Sequence, residues 1–98
     1  MNKIDVVTSR FNKLSSLEQL KTMTREDIVK VLQENSGTRD SSFSAWKDQD
    51  HWTESWDFLD EHLKLFTLNV VRDGSFIHVE CSGGEFEEPV SLATGKLE

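Results

Sequence analysis

The sequence predicts an α+β domain, with N-terminal helices and one longer tryptophan-bearing helix packed on one face of a small antiparallel β-meander of two to three strands. Three observations predict it. The run "MTREDIVKVLQENSG" carries the chemistry of a helix start. Apolar residues from Trp52 to Phe66 recur at helical spacing, and Asp73-Gly74 joins two β-rich runs.

The first helix rests on Ile4, Val7, Phe11 and Leu14, which form one apolar side of a short amphipathic segment. Ser15 or Ser16 can cap a second helical turn, "SLEQLK", with Leu17 and Leu20 inward. In the third, Thr24 is the N-cap and Asp27 completes a short capping box. Met23 and Ile28 are spaced for a hydrophobic staple. Ile28, Val31 and Leu32 face inward, and Gly37 can supply the left-handed residue that ends the helix. Together with the hairpin below, this run resembles a helix of small lipoprotein-like domains of the outer-membrane assembly kind. The resemblance covers about a dozen residues; the Gly-Glu-Pro of that motif is replaced by "QENSG", and no function is carried over.

Residues 35–50, "NSGTRDSSFSAWKDQD", read as a long loop, with or without a strand fragment across Phe43 to Trp46. From Asp50 onward, Trp52, Trp56, Leu59, Leu63 and Phe66 step at i, i+4, i+7, i+11 and i+14. That stripe predicts a helix of about four turns with Trp52 and Trp56 buried and Trp46 outside it. Asp73-Gly74 then predicts a hairpin whose inward face carries Leu68, Val70, Ile77, Val79 and Cys81. Gly83-Gly84 permits a third strand, "EFEEPVSL", which Pro89 confines to an edge.

Ninety-eight residues suit one domain, here residues 1–96, with Leu97 and Glu98 read as an expression-vector remnant. No apolar run approaches the ~20 residues that cross a bilayer, and "MNKIDVVTSRFNK" lacks the apolar centre of a secretory signal. A lone cysteine, Cys81, excludes an intramolecular disulfide and predicts a cytoplasmic setting. Residues 1–39 hold seven Lys/Arg and five Asp/Glu, whereas residues 40–98 hold four and thirteen. Direct nucleic-acid binding needs a basic footprint that this balance denies.

No calcium loop fits Asp48, Asp50 and Glu54, because Thr53 and Leu59 stand where a glycine and a glutamate are required. One cysteine and three separated histidines exclude a zinc cluster. Neither a phosphate loop nor a nucleophile elbow is present, and His78 and Cys81 point to opposite faces of a strand. The expectation is a non-enzyme with no cofactor and no metal.

On the expected helix, Asp50, Glu54, Asp57 and Glu61 form a ridge opposite the apolar stripe. With Asp40, Asp48 and the "EFEE" acids, and with Trp46 and Phe43 as aromatic anchors, it predicts a surface that binds and masks a basic partner protein, of the immunity, inhibitor or DNA-mimic kind. The same ridge also reads as a solvated face that only confers solubility. An alternative function is a ligand-binding or enzyme-accessory domain, its pocket between the tryptophan-bearing helix and the sheet, with His51 or His62 as polar groups. A third is a homodimeric adaptor with an extended apolar patch.

Overall fold

The computed structural model describes residues 3–98. Three short helices come first: α1 (Lys3–Arg10), α2 (Leu17–Leu20) and α3 (Arg25–Glu34), with a 3-10 turn at Asn12–Leu14. Six strands follow: β1 (Thr38–Arg39), β2 (Ala45–Asp48), β3 (His51–Leu59), β4 (Leu65–Asp73), β5 (Phe76–Gly83) and β6 (Val90–Lys96). They form one antiparallel sheet of order β1-β3-β4-β5-β6, with β2 also paired to β3. The expected architecture is therefore corrected. Six strands replace two or three, and the long tryptophan-bearing helix does not exist.

Its residues form β3, a turn over residues 60–64 and the start of β4. The reason lies in Glu54. On β3 the inward set is Trp52, Glu54, Trp56 and Phe58, all buried, facing Arg72, Val70, Leu68 and Phe66 across the ladder to β4. A charged residue in an inward position hides the two-residue period of the strand. Trp52 and Trp56, four apart, fit a strand parity as well as a helical one. Leu59 and Leu63, which completed the helical stripe, are 52% and 77% exposed.

α3 follows its local sequence closely. Thr24 Oγ1 accepts from Asp27 N at 3.1 Å and Asp27 Oδ2 accepts from Thr24 N at 2.9 Å, closing the capping box. The C-terminal stop differs from expectation. Ser36, not Gly37, takes the left-handed conformation (φ 64°), with Ser36 N donating to Gln33 O and Gly37 N to Leu32 O in a Schellman pattern. Gly37 is needed for space instead, because a Cβ there would overlap the Phe58 ring.

The hairpin forms between β4 and β5, with its turn one residue later than expected, at Gly74-Ser75. Asp73 pairs with Phe76 and Val70 with Val79. The shift moves the register by two residues and preserves parity, so Leu68, Val70, Ile77, Val79 and Cys81 are all inward and buried. The expected third strand "EFEEPVSL" is corrected: residues 85–89 form an irregular connection, and β6 runs over Val90–Lys96 at a sheet edge with Pro89 just before it. Leu97, set aside as a vector remnant, packs against the core and donates its N–H to Ser75 O at 2.7 Å.

The helical half covers only the inward face of the sheet. Val7, Phe11, Leu14, Leu20, Ile28 and Leu32 bury against it. Phe11, Phe58 and Phe66 form the aromatic centre, with Phe58 and Phe66 stacked at 5.5 Å and Phe11 edge-on to both.

Candidate functional site

Once residues 51–59 are a strand, the acidic ridge disperses. Glu54 is inward and 1% exposed, which corrects its assignment to a surface. Asp57 stays on the open outer face, accepting from Thr67 Oγ1 at 2.7 Å. Asp50 precedes β3 and Glu61 follows it, so they lie at opposite ends of a strand roughly 27 Å long at ~3.4 Å per residue. The spacing that aligned the four acids on a helix separates them on a sheet.

Asp48 and Asp50 remain exposed at the β2–β3 turn, as do Trp46 within β2 and Phe43 before its start. Asp48 Oδ1 accepts from His51 Nδ1 and from Asp50 N, both at 2.9 Å. The His51 bond, followed by the Asp50 bond, holds the Asp48 carboxyl below its ordinary range. Asp50 Oδ1 lies 3.2 Å from Arg72 Nη2. Trp46, 57% exposed, pairs with Trp52 on β3, and Phe43 is 70% exposed.

The opposite end of the sheet is differently built. A groove of about 970 Å³ lies between α1, the β3–β4 turn and the β5–β6 connection. Ile4, Val6, Val7, Phe66, Phe86 and Val90 give it an apolar lining, with Asp60, Glu61, His62 and Glu85 among the polar residues around it. Glu87 and Glu88 continue the acidic connection and are exposed. Of the two histidines expected beside a pocket, His62 lines this groove and His51 does not. No tryptophan lines it either.

Arg10 determines the shape of the groove wall. Its guanidinium lies 5.3–5.6 Å from the centroids of Phe11, Phe58 and Phe66. Nη1 donates to Leu59 O at 2.9 Å and Nη2 to Asn35 O at 2.7 Å, tying α1 to the ends of β3 and α3. Burial lowers its pKa from the ordinary arginine value.

The β3–β4 turn is held tightly. Asp60 Oδ1 accepts from His62 N at 2.8 Å and from Lys64 N at 2.9 Å, while the Asp60 and Lys64 backbones exchange a further bond. The bond from Lys64 is the largest influence keeping the Asp60 carboxyl below its ordinary value, and the bond from His62 acts in the same direction. Leu63 sits at this turn with φ 59°, an unusual conformation for a branched side chain. Leu59, Leu63 and Leu65 are all more than half exposed around it.

Sequence reasoning missed this end because its parts lie far apart in the chain. One signal was available: Val6, beside Val7, gave α1 a second apolar side that the stripe through Ile4 and Val7 did not use.

Among the described residues, no group of three or more His, Cys, Asp or Glu could hold a metal ion, and no helix is long and apolar enough to cross a membrane. Comparison with known proteins returns no match: no family model, no curated protein and no solved structure matches the chain.

Proposed function

We propose that this protein is a small non-enzymatic binding module that takes up a basic amphipathic segment of a partner protein, in the manner of an immunity protein or inhibitor. One observation carries the reading: an apolar groove rimmed by Asp60, Glu61 and Glu85, beside a rigid turn that exposes three leucines. An apolar floor suits the aliphatic face of the segment, and a carboxylate rim suits the lysines or arginines along its edges. Such complementarity raises the association rate and is screened by salt. The docking surface is thus moved from the dispersed ridge to the groove, with Glu61 and Glu85 common to both acidic surfaces. A free, buried Cys81 suits a reducing compartment, and we place the protein in the cytoplasm.

A second reading is favoured by the groove's size, which falls at the upper end of the ~300–1,000 Å³ typical of small-molecule sites. There the ligand is an apolar organic cation, with His62 and the carboxylates as its polar contacts.

Two designed amphipathic helices test the proposal, one of leucine and lysine and one of leucine and glutamate, with binding read by fluorescence anisotropy. The lysine helix binds and the glutamate helix does not. Glu61→Lys with Leu63→Asp weakens binding at least about tenfold, whereas Asp48→Lys with Asp50→Lys at the far end changes it little. Equal losses at both ends would reduce the effect to general charge attraction and sink the proposal. Uptake of an apolar ammonium compound without peptide binding would select the second reading.

A further inference from the structure

Glu54 organises a second site, on the inward face of the sheet where Arg25, the first residue of α3, meets β1 and β3. Its Oε2 accepts from Arg25 Nε at 3.1 Å and Nη2 at 2.7 Å. Its Oε1 accepts from Arg39 Nε at 2.9 Å and Trp56 Nε1 at 2.8 Å. One carboxylate therefore serves two guanidiniums, and the trio retains a net positive charge within a chain of net charge −7. The carboxylate is 1% exposed, while the side chains of Arg25 and Arg39 are 22% and 41% exposed.

Each guanidinium carries five N–H donors, of which Glu54 takes two from Arg25 and one from Arg39. Among the described residues, the Nη groups of Arg39 meet no other acceptor. Arg39 and Arg25 line a cleft of about 230 Å³ together with Ser41, Ser44, Ala45, Trp46 and Glu54. Trp46 pairs with Trp52 and so shares its inward parity, yet it is left uncovered. The Arg39 guanidinium lies over the Trp56 ring, 5.1 Å from its centroid, and its Nε is bonded to Glu54. Its orientation is settled before any ligand arrives, which lowers the entropy cost of binding.

The geometry points to a binding site for a phosphate group in this cleft, with Arg39 and Arg25 as donors and the Trp46 indole as a wall for whatever carries the phosphate. Guanidinium donors match phosphate oxygens through paired hydrogen bonds. Glu54 also borders the cleft, but both its oxygens already accept from Arg25, Arg39 and Trp56, so it acts as a positioning residue for the two guanidiniums. The chain's overall negative charge weakens attraction, so affinity for inorganic phosphate is modest, with Kd on the order of 1 mM.

The test is a titration of isotope-labelled protein with inorganic phosphate, followed by the indole and guanidinium N–H resonances, against sodium chloride at matched ionic strength. The Trp46 indole and Arg39 signals shift in a saturable way with phosphate and not with chloride. Arg39→Gln, which keeps an amide donor for Glu54, weakens binding at least about tenfold. Trp46→Ala leaves inorganic phosphate binding but abolishes any added affinity for a nucleoside monophosphate. A nucleoside monophosphate that binds more tightly than phosphate assigns a phosphate borne on a planar group, and equal affinity assigns free phosphate. Linear shifts without saturation, the same shifts with chloride, or unchanged affinity in folded Arg39→Gln would overturn the site.

Discussion

Glu54 sits among core residues because four hydrogen bonds replace the water its carboxylate loses. Glu54→Ala leaves the buried Trp56 Nε1 without its acceptor and two guanidiniums without their shared anion. The expected cost is about 1–3 kcal/mol, toward the low end because both arginines reach solvent. Chemical denaturation checks this, and a variant as stable as the parent would contradict the structural role. Cys81 illustrates the opposite environment. Burial, followed by the charge of Glu80, pushes its thiol up to about 11. Two units above the ordinary value of 9.0 leave about a hundredfold less thiolate at pH 8, so labelling by a thiol reagent is slow until the chain is unfolded. The linkage has a definite sign: the unfolded chain releases the proton first, so the stability tied to this thiol is full below pH 9 and is lost as pH rises toward 11.

Among the elements, β3 carries the most weight, since it pairs with β1, β2 and β4 and supplies both buried tryptophans. Trp56→Ala should destabilise by roughly 3–5 kcal/mol, read as a lowered Tm, whereas Trp46→Ala should change it little. Gly37→Ala should destabilise through its overlap with Phe58, a contact between the C-terminus of α3 and the inward face of β3. At the β4–β5 turn the constraint is conformational. Gly74 has φ 64° and open space around it, so Gly74→Ala should cost about 1–2 kcal/mol and Gly74→Asn less. The β3–β4 turn responds to pH in the opposite sense from Cys81. Asp60 has a depressed carboxyl, so its support is present above the ordinary value and is lost as pH falls through the folded one.

Over the whole molecule, one sheet face is covered by helices and the other is open, while acidic groups cluster toward the two ends rather than along one ridge. Net charge keeps such a molecule dispersed at neutral pH despite Leu59, Leu63 and Leu65. Near the sequence pI of 4.9 that protection disappears, and self-association should be greatest there. Light scattering between about pH 4 and about pH 8 measures it. Leu63→Ser should reduce the scattering near the minimum of charge; an unchanged profile would assign association to another surface.

Local chemistry was legible in the sequence wherever neighbours in the chain settle the outcome. The Thr24–Asp27 capping box and the inward parity of Leu68, Val70, Ile77, Val79 and Cys81 formed as read, whereas the third strand reached a sheet edge over Val90–Lys96, with Pro89 outside it. The burial of Trp52 and Trp56 and the exposure of Trp46 were also legible, although the helix inferred from them was not real. What only the tertiary structure decided was the state of residues 51–66. Arg25 and Arg39, 29 and 15 positions before Glu54, make its inward placement tolerable. No local window contains all three, so the glutamate read as a solvent-facing residue and concealed the strand's alternation. The groove was hidden for the same reason: α1, the β3–β4 turn and the β5–β6 connection become neighbours only when the sheet has formed and the Arg10 guanidinium has tied α1 to the ends of β3 and α3.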